Sequence, residues 1–187
     1  MSETAEALAA NLKTRRNVSI EITNHTSNFC LIDPKIFLES GHCHSPPQPT
    51  VRPLRTEVCS FTKNTGKAEG AVGVLSYSVF GKGIPGPNPK DRIAIMFSVP
   101  YDRNMYKNWA AVGIYEVSRD VDEVLYKEMY FNKEQVAFER QEAKGSVLVF
   151  KGTYLDLMVT MSPLGRCMMK VEVWEKMFNP PTGQSPY

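Results

Sequence analysis

The sequence predicts a mainly β protein: a compact β-sandwich flanked by two α-helices. Three observations carry this. Apolar residues alternate with polar ones at period two from Asn17 onward, many such short runs are separated by Gly- and Pro-rich turns, and two segments break the pattern with a helical period. The 187 residues, 42% hydrophobic and 22% charged, suit one ordinary folded domain over residues 1–178, with a Pro-rich polar tail at 179–187.

The first helix is expected over about residues 4–16. Ala5, Leu8, Ala9 and Leu12 fall at i, i+3, i+4 and i+7, Ser2 or Thr4 offers a cap, and an acidic start with a basic end suits the helix dipole. Val18, Ile20 and Ile22 then alternate with Ser19, Glu21 and Thr23, as in a half-buried strand. Further strands are expected at Asn28–Ile32, Val51–Phe61, Gly70–Phe80, Arg92–Val99, Ala111–Val117, Ser146–Lys151, Tyr154–Ser162 and Cys167–Glu175. In the last, Met169, Val171 and Val173 share a face opposite Lys170 and Glu172. Turns are expected at Gly41–Pro49, Gly81–Pro89 and Pro163–Gly165. The second helix is expected over about 121–131, with Asp120 as N-cap, Glu123 completing a capping box, and Val121, Leu125 and Met129 as its buried stripe.

Several function classes find no support. A net charge of +2 is too small for a nucleic-acid partner, and Lys13, Arg15 and Arg16 form the one dense basic cluster, read first as a helix end and second as a contact for anionic lipid. No run of about 18 apolar residues offers a transmembrane helix. The N-terminus lacks the pattern of a secretory signal, so the expectation is a soluble protein, cytoplasmic or exported by a non-classical route. Four cysteines without close pairing are then expected as thiols, and the sequons at Asn17 and Asn24 are expected to stay unmodified. His42, Cys43 and His44 have metal-ligand chemistry, but adjacent residues chelate one ion poorly, so no metal site is expected. No nucleophile elbow, HExxH or phosphate-cradling loop is present, so neither a catalytic residue nor a cofactor is assigned.

The segment Ile93–Phe131 stands apart. It holds Tyr101, Tyr106, Trp109, Tyr115, Tyr126, Tyr130 and Phe131, interleaved with Pro100, Asp102, Arg103 and Asn104. Rings with a polar tip suit a boundary that is dry on one side and wet on the other. Their faces also attract quaternary ammonium groups, by about 0.5–2 kcal/mol per contact. A membrane rich in choline headgroups offers both conditions.

Three motifs in order, GAVGVLSY (Gly70–Tyr77), FSVPYDRNMYKNW (Phe97–Trp109) and YKEMYFN (Tyr126–Asn132), resemble the actinoporin family, sphingomyelin-binding pore-forming cytolysins of sea anemones, and most of all its vertebrate members. The resemblance runs from Arg15 to Asn132 and more loosely through the C-terminal strands. It implies a β-sandwich with two helices, the first detachable. It further implies a phosphocholine pocket resembling Ser40, Val72, Ser98, Pro100, Tyr106, Tyr126, Tyr130 and Phe131, and a membrane-facing set of Tyr101, Met105, Trp109 and Arg16. The pore helix would use Ala5, Leu8, Ala9 and Leu12, and the implied partners are a choline-lipid membrane and further copies of the chain.

Departures from the family pattern are specific. Phe131 stands where a second Tyr is common, Glu39 where a basic residue precedes the loop serine, Met105 where an exposed Trp is expected, and Ala110 where a second Trp often follows. The longer apolar leader that precedes this helix in the anemone proteins is not expected here. Sixteen helical residues would span about 24 Å against about 30 Å of hydrocarbon. The resemblance therefore leaves open a second reading, a non-lytic module that binds lipid or carbohydrate through the same pocket.

Overall fold

A computed structural model describes residues 3–81 and 89–176. The chain runs α1 (Ala5–Ala10), β1 (Asn17–Asn24), β2 (Phe29–Ser40), β3 (His42–Ser45), β4 (Thr50–Val51), β5 (Arg55–Thr62), β6 (Ala71–Gly81) and β7 (Asp91–Val99). It continues through β8 (Trp109–Glu116), α2 (Glu123–Phe131), β9 (Phe138–Glu142), β10 (Leu148–Lys151), β11 (Leu155–Met161) and β12 (Arg166–Glu175). One sheet has the order β10-β11-β12-β1-β5-β3 and the other β4-β2-β6-β7-β8-β9. Each is six-stranded among the described residues. The strand pairs are antiparallel except β1 with β12, which run parallel.

The period-two pattern fixes the core. Val18, Ile20 and Ile22 of β1 lie beside Cys167, Met169 and Val171 of β12, all buried in the core between the sheets. Phe61 of β5 and Phe97 of β7 stack across the gap at 4.8 Å between centroids, joining the two sheets at one point. Strands β6 and β7 are buried along almost their whole length. Leu75, Tyr77, Ile93 and Ile95 point into the sandwich, while Val72, Val74, Ala94 and Met96 are covered from outside by α2. The first helix covers the other sheet: Ala5 and Leu8 pack on Val58 and Met168. One helix thus seals each outer face, as the sequence predicts.

Helix boundaries differ from expectation. The first helix stops at Ala10 instead of residue 16. Asn11 and Leu12 donate backbone N–H groups to Leu8 and Ala9, a tightened last turn that drops Leu12 into the interior, 3% exposed. Thr14 then bonds the Arg16 carbonyl, a local contact that competes with helix. Ala9 is half-buried, and the cap is Thr4, whose hydroxyl accepts from Ala7 at 3.1 Å. In α2 the N-cap is Asp122 instead of Asp120, with its carboxylate accepting from Leu125 at 3.0 Å. Glu123 therefore opens the helix and makes an i,i+4 ion pair with Lys127, and Val121 lies outside it, half-buried.

Strand limits differ too. β2 continues to Ser40 through an irregularity at Asp33-Pro34, where Asp33 takes φ 50°. The expected strand Val51–Phe61 is split at Leu54, φ 59°, and part of the expected turn Gly41–Pro49 is strand β3. Strand β9 has no counterpart in the sequence reading. Most of the expected turn Gly81–Pro89, the tail 179–187 and the last two residues of the expected domain lie outside the described residues.

Asn17 and Asn24 are 1% and 0% exposed. The Asn24 amide bridges the Phe29 and Val51 carbonyls, a structural role that leaves no room for a glycan.

Two measurements check this core. Cys59 and Cys167 are buried, and burial pushes both thiols up, Cys167 to about 12, whereas Cys30 and Cys43 are half-buried. A disulfide-exchange reagent at mildly alkaline pH should consume Cys30 and Cys43 first and the other two only on unfolding. Phe97→Ala should destabilise by about 3–5 kcal/mol in a urea titration; a loss below about 1 kcal/mol would contradict the cross-sheet stack.

Candidate functional site

Strand register assembles one row across the second sheet. Ser40 pairs with Val72, Val72 with Ser98, and Ser98 with Trp109, so residues distant in sequence stand side by side at one end of β2, β6, β7 and β8. A glycine holds this row tight. A Cβ on Gly70 would fall 2.1 Å from the Val99 carbonyl oxygen and 3.0 Å from Pro100 Cα. The Gly70 carbonyl also accepts the Ser40 hydroxyl at 3.2 Å. Ser40 and Pro100 therefore meet through Gly70, a contact the sequence reading did not foresee. Its only sequence signal is the glycine opening GAVGV.

The loop between β7 and β8 carries the exposed rings. Tyr101, Met105 and Tyr106 are 49%, 72% and 54% exposed, on a turn tied down from three sides. Arg16 Nε donates to the carbonyls of Pro100 at 3.0 Å and Tyr101 at 2.9 Å. Asp102 accepts from the N–H groups of Asn104 and Met105. Asn108, 2% exposed, donates its amide to the carbonyls of Ser162 and Leu164 at 3.0 and 2.9 Å. Arg103 adds a bond to Pro163. Such a loop presents its rings already oriented, which lowers the entropy cost of engaging a surface.

Helix α2 supplies the other rings. Phe37 and Tyr126, Tyr126 and Tyr130, and Tyr130 and Phe131 form a chain of contacts with centroids 6.2, 5.7 and 4.7 Å apart. Within it Tyr126 is buried, 6% exposed, and desolvation raises its phenol pKa, with Tyr130 and Glu39 adding to the effect. Tyr130 is half-buried and Phe131 is 65% exposed. Accessible ring surface on the helix thus comes from Tyr130 and Phe131, with Tyr126 as their backing. Val72, Trp109 and Phe37 pack in the same apolar cluster as Tyr126 and Tyr130, which joins the strand row to the helix.

Eight residues of the expected pocket therefore divide into three groups. Val72, Ser98 and Tyr126 are buried walls. Ser40, Pro100 and Tyr130 are half-buried, and Tyr106 and Phe131 face outward. Tyr106 lies on the loop at the same end of the sheet but is not in the chain of ring contacts on α2. In the set expected to face a membrane, Tyr101 and Met105 are exposed, Trp109 is half-buried in the cluster under α2, and Arg16 bonds the loop. In the expected pore-helix set, Ala5 and Leu8 are buried in the helix, and Leu12 is buried beyond it. Phe37 was missed because it falls in no motif and is seen only through register; Asn108 lies inside the motif Phe97–Trp109, but its role shows only in the carbonyls it holds.

Comparison with known proteins identifies the family of the chain. The family model described as sea anemone cytotoxic protein matches residues 8–173. DELTA-alicitoxin-Pse1b of Phyllodiscus semoni is 41% identical over 69 residues, 37% of this chain and 27% of that protein. DELTA-actitoxin-Aeq1a of Actinia equina is 43% identical over 65 residues, 35% of this chain and 27% of that protein. The chain thus aligns with little more than a quarter of the length of these curated relatives. A solved structure described as the lipid binding protein Nakanori superposes with a TM-score of 0.63 over 90% of this chain and 75% of its own, at 14% identity, a likeness of fold. The family is one of cytotoxic proteins and not of enzymes. A sandwich sealed by two helices, a glycine-tightened row of wall residues and a tethered aromatic loop accompany that match, and the chain belongs to the actinoporin family of sea anemone cytotoxic proteins.

Proposed function

We propose that this chain is a membrane-binding protein that reads phosphocholine headgroups, sphingomyelin among them, through the aromatic end of its sandwich, and that copies assembled on the lipid can open cation-conducting pores. The supporting observation is two sets of accessible rings joined to one end of the sheet: Tyr101, Met105 and Tyr106 exposed on the turn after β7, and Tyr130 and Phe131 on α2, where Tyr130 packs in one cluster with Val72 and Trp109. Trimethylammonium is a poorly hydrated cation that gains from ring faces, and the loop offers these without reordering. The Ser40 hydroxyl hydrogen is engaged by Gly70, so Ser40 would meet a phosphate only after exchanging that bond. Glu39, exposed on the adjoining bulge and close enough to act on Tyr126 and Lys127, opposes a phosphate there. Recognition would then rest more on the ammonium half of the headgroup than on its phosphate.

Pore opening requires α1 to leave the sandwich. Six helical residues rise about 9 Å, far short of the hydrocarbon core, so the segment 11–16 would have to join the helix. The helix is held by the burial of Ala5, Leu8 and Leu12, by the Ala5 N–H to Glu21 and by an ion pair of Glu6 with Lys170 at 3.0 Å. That docking favours a second reading, in which the same surface binds lipid and the helix stays in place.

Replacing Tyr106 and Tyr130 together by Ala should weaken co-sedimentation with sphingomyelin vesicles by about tenfold or more; unchanged binding would remove the ring-based reading. Dye release from the same vesicles separates the two readings. Leakage is the outcome expected of a pore former, and binding without leakage would leave only the non-lytic module.

A further inference from the structure

The turn that carries Tyr101 also borders a cleft whose chemistry is basic. This cleft, of about 810 Å³, is lined by Lys13, Arg15, Arg16, Lys63 and Arg103, with Tyr101 on its wall. Against these five cationic side chains stands the single carboxylate of Asp102, a surplus of four, twice the +2 of the whole chain. Asp102 is itself turned to the N–H groups of Asn104 and Met105. None of the five cations makes an ion pair among the described residues, whereas Lys127, Lys144, Lys170, Lys176 and Arg119 all do.

The cations come from three segments of the chain, around residues 13–16, 63 and 103, and three of them are held by backbone carbonyls. Arg16 is clamped by the carbonyls of Arg15, Pro100 and Tyr101. Arg103 bonds Pro163, while its buried Nε has no partner. Lys63 bonds the Lys67 carbonyl at 2.6 Å. Arg16 and Lys63 both approach the Tyr101 ring, at 6.0 and 5.9 Å from its centroid. Gathering like charges costs free energy that a multiply charged anion would recover, and guanidinium groups match phosphate oxygens in geometry.

We propose that this cleft is an anion site for a phosphorylated headgroup carrying several charges, of the inositol polyphosphate class, separate from the choline-binding rings. Its volume falls in the range of small-molecule sites and exceeds what a single phosphate fills. A membrane is the favoured source of the ligand. Tyr101 forms part of the cleft wall, and the same turn presents Met105 and Tyr106 to the outside. An anionic lipid seated there would lie beside the residues that enter the interface.

The test titrates soluble inositol trisphosphate into the full chain by calorimetry, and in parallel measures binding to phosphatidylcholine vesicles with and without phosphatidylinositol bisphosphate. The expected result is saturable binding of the soluble headgroup, tighter binding to the bisphosphate vesicles, and loss of both by about thirtyfold in the doubly neutralised R15Q/K63Q variant. That variant should keep its binding to plain phosphatidylcholine, which also shows that it folds. No binding of the soluble headgroup, or binding equal in the variant, overturns the proposal. Soluble headgroup binding with no gain on bisphosphate vesicles overturns the membrane source and assigns the cleft to a free polyphosphate. Failure of the choline reading shows separately, as loss of plain vesicle binding with headgroup binding intact.

Discussion

The middle of the sheet that carries the candidate site, β6 and β7, is dry on both faces, and the position of the α2 rings follows from that constraint. Strands β6 and β7 have almost no polar side to offer water, so an apolar element must cover Val72, Val74, Ala94 and Met96 from outside. Burying such side chains is worth about 1.5–3 kcal/mol each, enough to fix the covering helix firmly. Leu125 and Met129 take that role with no exposed surface. Once they are seated, Tyr126 is pressed inward, and Tyr130 and Phe131 are carried to the rim. Ring placement is thus a by-product of core packing.

That coupling explains what the sequence revealed and what it hid. The sandwich was legible because β1, β6, β7 and β12 alternate cleanly or run apolar throughout, and tertiary burial rewards those patterns. Strands β3 and β9 were hidden because HCHS and FERQE are short and mostly polar, with half-exposed side chains and no strong period. Pro34 concealed the length of β2, since a proline inside a run signals an interruption and the chain passes it with an irregularity instead. For α2, the capping-box spacing to Glu123 pointed to Asp120, whereas the cap is Asp122, whose carboxylate accepts from the Leu125 N–H. In the candidate site, residue types were readable from motifs but depth was not. Tyr126 and Trp109 have the same amphipathic chemistry as Tyr106, and burial alone separates backing from contact surface.

A division of labour emerges around residues 100–108. Buried or half-buried side chains, Arg16 and Asn108, bond to backbone carbonyls and define the path of the loop. The exposed Asp102 holds the turn from within, and the side chains of Met105 and Tyr106 face outward on that path. Arg16 serves both the loop and the basic cleft, so one side chain contributes to the shape of the aromatic loop and to the charge beside it.

The pairing of β1 with β12 reaches beyond the site. It joins the opening strand to the closing strand in parallel register, from Asn17 with Arg166 to Asn24 with Val173, and β1 is central in its sheet. During synthesis, the middle of that sheet must wait until the twelfth strand has cleared the ribosome, with β1 flanked until then by β5 alone. Assembly is therefore obligatorily late and dominated by distant contacts. The unpaired edge of β1 in the nascent chain is the place where chaperone capture or misassociation between neighbouring polysome products would begin.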